Sequence, residues 1–304
     1  VIDTTGAIRF GSGMIPHRIA PITQTYAVNN ITLAVHHWAA PDSDQPPLIF
    51  AHATGFHGRV FDAIIEQFPA HPVYSVDLRG HGQSGGGPIS DWRLAASDIA
   101  GFLGAAGITG AIGIGHSMGA HALLQAAADH PGVFTRLVLF DPVIFAPAFY
   151  ATPEPLFSED NPHPTIRRKR DFASPEAMIE RFAARDPYRL FDRRVFADYC
   201  RHGLVPAPSG EGYELACAPE VEASVYASSR SNGAILDAAR TVDIPVLVVR
   251  AKQTGMGDFT SSPTWPDLAK ILPQGTDLHR PDRTHFHPLE DPADAARIIA
   301  EWIG

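Results

Sequence analysis

Residues 111–119 read Ala-Ile-Gly-Ile-Gly-His-Ser-Met-Gly, and Met118–Ala128 follows as a helical candidate. Ala111–Gly115 is a compact apolar run of the kind that suits a strand buried on both faces of a parallel sheet. The five residues Gly115-His116-Ser117-Met118-Gly119 form G-x-S-x-G between that strand and that helix. This is the context the pattern needs if its serine is to be a nucleophile. A serine on so sharp a turn leaves little room for side chains two positions away on either side, which accounts for the two glycines. The turn lifts the hydroxyl clear of the sheet, and the next backbone N–H points into the same space at a helix N-terminus. A plain glycine-rich turn is the rival reading, and the flanking strand and helix weigh against it.

Working outward, short apolar runs alternate with helical stretches. Gln24–Val28 and Ile31–Trp38 flank Asn29-Asn30, the pattern of a hairpin whose turn tolerates positive φ. Leu48–His52, Pro72–Asp77 and Leu137–Asp141 repeat the buried-strand pattern, and Trp92–Ala106 is a second helical candidate. The alternation predicts an α/β domain with a mostly parallel, doubly wound sheet. It stops after Asp141. From about Ala146 to Ala239 there are prolines, aromatics and helical fragments but no convincing strand. It resumes at Ile244–Arg250 and Thr276–Leu278 and ends in the helix Pro292–Ile303. The expected organisation is one core domain, 1–145 and 240–304, interrupted by a mainly helical cap, 146–239.

A serine hydroxyl needs a base, and the base should sit in a loop after the last strand. There the chain reads Thr284-His285-Phe286-His287-Pro288-Leu289-Glu290-Asp291-Pro292. With the elbow, this segment resembles the α/β-hydrolase fold superfamily, in particular its serine esterases, lipases and C–C bond hydrolases. The resemblance spans roughly residues 24–145 and 242–304 and implies that His285, rather than His287, is the base. It extends to His52-Ala53-Thr54-Gly55-Phe56-His57-Gly58, similar to a family segment that supplies an oxyanion-hole donor. The implied donors are the backbone N–H groups of Thr54 and Met118, each worth ~3 kcal/mol to a tetrahedral intermediate. Ala53 stands where the family usually has Gly. Asp77-Leu78-Arg79-Gly80-His81-Gly82-Gln83-Ser84 resembles a structural turn that supports this loop.

The imidazole also needs an acid to set its tautomer. The family's commonest acid follows the strand read here as Ile244–Arg250, where this chain has Ala251-Lys252-Gln253-Thr254. Thr254 occupies the usual place of the Asp. Two carboxylates remain: Asp141, at the end of the strand after the elbow helix, and Asp258, four residues beyond Thr254. Asp141 is preferred because a buried strand end is rigid, whereas Asp258 follows Gly255-Met256-Gly257.

Composition excludes several other readings. The net charge of −9 is unsuited to a nucleic-acid partner, and the basic run Arg167–Arg170 reads as a solvated helix face. No stretch approaches the ~20 apolar residues of a membrane span. Cys200 and Cys217 are expected to be free thiols, and the His spacing gives no metal-site pattern. No cofactor or metal is expected. Val1–Phe10 shows no signal peptide, so a cytoplasmic location is expected, with secretion left open by the lack of an initiating Met.

The resemblance implies a serine hydrolase acting on a small-molecule carboxylic ester or lactone through an acyl-enzyme on Ser117. A C–C bond hydrolase, or a non-catalytic small-molecule receptor on the same fold, is the alternative. A serine at the elbow disfavours the related epoxide hydrolases and dehalogenases, which use Asp there. Phe145, Phe149 and Tyr150, with Phe157 nearby, either line an apolar substrate pocket or form the cap's own small core.

Overall fold

The computed structural model describes residues 20–152, 156–158, 160–255 and 257–304, with the backbone of 9–10 and 13–14. Apart from the backbone of 9–10, the segment read above for a signal peptide lies outside the described residues. One eight-stranded sheet organises the chain. Its strands are β1 (Ile22–Val28), β2 (Ile31–Trp38), β3 (Leu48–Ala51), β4 (Val73–Val76), β5 (Ala111–His116), β6 (Phe134–Phe140), β7 (Val246–Ala251) and β8 (Gly275–Arg280). Their order across the sheet is β1-β2-β4-β3-β5-β6-β7-β8. The β1–β2 and β2–β4 pairs are antiparallel, and every later pair is parallel. Asn29 and Asn30 close the β1–β2 hairpin at φ 45° and 63°, the left-handed turn their side chains tolerate.

Two-residue periodicity divides the core. Ile49, Ala51, Val246 and Val248 face one layer with α1 (Arg93–Ala106) and α2 (Met118–Asp129). Leu48, Phe50, Leu247 and Val249 face the other, which also takes Phe61, Ile65, Ile298 and Ile299. β3, β5 and β7 are buried at every position. This explains why they read as unbroken apolar runs rather than as alternating ones.

Between β6 and β7 the chain carries α3 (Pro175–Phe182), α4 (Arg193–His202) and α5 (Pro219–Ala227). It also contains a small antiparallel sheet of Asp171–Phe172, Leu204–Pro206 and Tyr213–Leu215. The expectation of no strand in this stretch is therefore corrected. Runs of two or three residues are too short for a periodicity to show, and one ends in Pro206, which edge strands accept. The final helix, α6 (Pro292–Ile303), has the bounds expected of it.

Candidate active site

The sequence places Ser117 where backbone geometry alone makes its side chain prominent. It has φ 58° and ψ −117°, a sterically costly conformation for any residue but Gly. The turn is held at both ends: Ser117 N–H donates to the Phe140 carbonyl at 3.0 Å, and the Ser117 carbonyl accepts from His121 N–H at 3.2 Å. A Cβ on Gly115 would lie 2.5 Å from the Ala120 Cα, and one on Gly119 would lie 2.2 Å from the Ala51 carbonyl oxygen. Both glycines are thus required by space, as the spacing predicted.

His285 lies in the segment before α6, 168 residues from Ser117 in the chain, yet its Nε2 is 3.0 Å from Ser117 Oγ. Its Nδ1 donates to Asp141 Oδ2 at 2.6 Å. A carboxylate partner at Nδ1 leaves the Nε2 lone pair facing the hydroxyl, so the tautomer suits proton acceptance from Ser117. The His285 backbone is clamped from two sides. Its N–H donates to the Thr260 carbonyl at 2.8 Å, and its carbonyl accepts from His116 Nε2 at 2.7 Å. Burial lowers His116 to about 3, so this neighbouring ring stays neutral and sets no charge against His285.

Asp141 follows β6 directly and is 2% exposed. Its backbone takes φ 47°, which Asp tolerates better than most residues, and its N–H donates to Val249 at 2.7 Å. Oδ1 accepts from Ala251 N–H at 3.0 Å and from Ser262 Oγ at 2.5 Å. Burial pushes the carboxyl up, but hydrogen bonds from His285, Ser262 and Ala251 and the attraction of His285 outweigh it, and the net direction is down. Ser262 had no sequence signal; a loop serine is recognisable as a partner only once the fold brings 262 and 141 together.

Asp258 goes elsewhere. It is exposed and accepts from Thr254 Oγ1 at 2.6 Å, Thr260 N at 2.8 Å and Thr260 Oγ1 at 2.7 Å. It therefore closes its own loop, whose Thr260 carbonyl braces His285. His287 Nε2–H donates to Asp294 Oδ2 at 2.8 Å and ties the segment to α6.

Thr54 and Met118 stand side by side, with Thr54 Oγ1 3.5 Å from Met118 Sδ. Among the described residues, neither backbone N–H has a hydrogen-bond partner. The loop carrying Thr54 is braced by Asp77, which accepts from Gly58 N at 2.7 Å, Gln83 N at 2.8 Å and His36 Nε2 at 3.1 Å. His57 Nε2–H donates to the Tyr199 carbonyl of α4 at 3.1 Å. Glu222 of α5 packs on Gly55, where a Cβ would lie 2.8 Å from its Oε1. The segment after β6 thus lies against the loop beside Ser117, which is 5% exposed.

Phe145, Phe149 and Tyr150 contact one another. Phe145 and Phe149 stack at 3.9 Å, the Tyr150 hydroxyl accepts from Phe145 N–H at 3.2 Å, and Arg230 lies 4.5 Å over the Phe149 ring. Cys200 and Cys217 are both buried and free. Among the described residues no helix is long and apolar enough to cross a membrane.

The chain belongs to the alpha/beta hydrolase family, whose model it matches over residues 48–298, and it has that family's fold. It is 23% identical over 272 residues to the sn-1-specific diacylglycerol lipase ABHD11 of Danio rerio, covering 86% of this chain and 79% of that one. Over 86 residues it is 40% identical to an N-formylmaleamate deformylase of Pseudomonas putida, 28% of this chain and 32% of the relative. Among solved structures, E-2-(acetamidomethylene)succinate hydrolase superposes with a TM-score of 0.73 at 22% identity, covering 93% of this chain and 99% of that one.

Proposed function

We propose that the protein is a serine hydrolase that cleaves a small carboxylic ester or lactone through an acyl-enzyme on Ser117. The observation that carries this reading is the continuous chain from Ser117 Oγ to His285 Nε2 at 3.0 Å and from His285 Nδ1 to Asp141 at 2.6 Å. In the proposed reaction Ser117 Oγ attacks the carbonyl carbon and its proton passes to His285 Nε2. Asp141 stabilises the imidazolium so formed. The carbonyl oxygen, now negative, is held by the N–H groups of Thr54 and Met118. His285 returns the proton to the leaving alkoxide, and water, activated by the same ring, then releases the acid. Residues 146–239 act as a cap over the site, and Phe145, Phe149 and Tyr150 border the pocket beneath it.

The ester reading draws support from the diacylglycerol lipase, which aligns over most of both chains. The deformylase similarity favours a second reading, cleavage of an acyl–nitrogen bond by the same groups. C–C bond cleavage would use them too. Parallel assays with a p-nitrophenyl acyl ester, an N-formyl amide and a vinylogous diketone separate the three. Ester turnover that is lost in Ser117→Ala is expected. Turnover of only the amide or only the diketone would replace the ester assignment.

A further inference from the structure

Asp141 meets His285 through one oxygen only. Its second oxygen, Oδ1, is held by the loop that follows β7, the strand paired with β6. Ser262 Oγ lies 2.5 Å from Oδ1, with Ser262 6% and Asp141 2% exposed. An ionised carboxylate has no proton to give, so the serine hydroxyl donates. The Ser262 lone pairs remain available and accept from Thr264 N–H at 3.3 Å, while Ser262 N–H donates to the Lys252 carbonyl at 2.8 Å. The first of these bonds orients the hydroxyl, and the second fixes the backbone that carries it.

Thr264 makes the comparison instructive. Its Oγ1 is 3.2 Å from Asp141 Oδ1 but 2.8 Å from the Pro142 carbonyl. A hydroxyl has a single proton, and the shorter bond takes it. Thr264 is therefore a tie to the backbone, and Ser262 is the side-chain donor on the carboxylate.

We propose that Ser262 is a positioning residue that, with the Ala251 N–H, fixes the rotation of the Asp141 carboxylate and so aims Oδ2 at His285 Nδ1. The inference rests on reading Asp141 as the acid of the proposed triad. It assigns a purpose to the loop after β7. That loop carries Thr254 where an acid is usual, and it supplies a hydroxyl to a carboxylate that stands on the neighbouring strand end. The charged and titratable groups around the pair are few: His285 itself, neutral His116 with its ring centroid 5.1 Å from that of His285, and Arg250, whose charge is engaged by Asp277 at 2.6 Å.

Removing the hydroxyl has two consequences. The carboxylate gains rotational freedom, which slows proton transfer from Ser117. It also loses a donor, so more of its negative charge faces His285, and the imidazolium becomes easier to form. The test is the second-order rate of fluorophosphonate labelling at Ser117, measured from pH 5 to 9 on the full chain. Ser262→Ala should slow labelling about ten- to a hundredfold, the range for loss of a hydrogen bond to a charged group, and move the acid limb of the profile to higher pH. Ser262→Cys, nearly isosteric with a weaker donor, should move it the same way by less, and it serves if the Ala variant folds poorly by circular dichroism. Thr264→Val should leave the acid limb in place. An unchanged rate and limb in folded Ser262→Ala overturns the proposal, and so does slowing without a limb shift that Thr264→Val reproduces. If Ser117→Ala still labels or Asp141→Asn labels at the full rate, the triad reading itself fails, a result distinct from either.

Discussion

A serine hydroxyl holds its proton too tightly to attack an acyl carbon unaided, so the roles of the nearby side chains depend on where that proton can go. Among the described residues His285 offers the only side-chain bond to Ser117 Oγ, at 3.0 Å, and the direction of that bond depends on the carboxylate behind the ring. Asp141 and Asp258 differ sharply here. The first is buried and bonded to Nδ1 at 2.6 Å, whereas the second is exposed and engaged by Thr254 and Thr260. Asp141→Asn is therefore expected to lower kcat by roughly 10³–10⁴-fold, because the amide can favour the wrong tautomer. Asp258→Asn should cost less than about tenfold, with steady-state hydrolysis of a short ester as the measurement. Equal losses at both positions would contradict the assignment. The preference for Asp141 could be argued from the sequence because a strand end is rigid, but the bond itself joins residues 144 apart and has no local signature. Ser262 was invisible for the same reason.

At the scale of elements, the segment between β6 and β7, which packs on the loop beside Ser117 through Glu222, is tied together internally by two kinds of ion pair. Arg168 and Glu222 are largely buried, with side chains 17% and 7% exposed, and Arg168 also donates to the Tyr199 hydroxyl at 2.8 Å. Arg170 and Glu220, close by, are 40% and 54% exposed. Breaking the buried pair leaves a charge without a partner, so Arg168→Met should destabilise the protein by about 3–5 kcal/mol. Arg170→Ala should change stability by less than about 1 kcal/mol. Urea unfolding of the two variants checks the contrast, and similar effects at both sites would show that burial does not decide it. The final helix α6, with its apolar stripe and the Asp291 cap, was legible to the residue, and α1 and α2 within one residue at an end. The three short strands of this segment were not, because their pairing is set by partners 7 to 11 positions away in one ladder and 41 to 43 in the other rather than by their own pattern. The aromatic group at 145–150 was ambiguous in sequence because stacking on a neighbour and lining a pocket demand the same residue types.

Across the whole molecule, several histidines are buried with hydrogen-bond patterns that only a neutral ring satisfies. His52 donates from Nδ1 to the Ala53 carbonyl and accepts at Nε2 from Leu78 N–H. His121 donates to the Val143 carbonyl from Nδ1, and Asn232 Nδ2 approaches its Nε2 at 3.0 Å. Burial holds His52 and His116 down to about 3, and His57 and His121 to about 4. In the unfolded chain these rings protonate near pH 6.5. Between that pH and 4 the unfolded state binds more protons than the folded one, so stability rises with pH and is lost as pH falls. Each ring contributes up to ~1.4 kcal/mol per pH unit in that window, and two together about 3 kcal/mol per pH unit. The urea midpoint should therefore drop steeply from pH 6.5 to 4.5. A flat profile there would show that these rings accept protons in place. The count of fifteen histidines was plain in the sequence, and their spacing gave no metal-site pattern, but the neutral polar core they build was not legible, because their partners are mostly backbone carbonyls.

The most direct test of the central claim is to treat the protein with a fluorophosphonate and locate the adduct by peptide mass spectrometry. One stoichiometric adduct on Ser117 is expected, absent in Ser117→Ala and formed roughly 10³-fold or more slowly in Asp141→Asn. An adduct on another residue, or ester hydrolysis that persists with Ser117 unmodified, would contradict it.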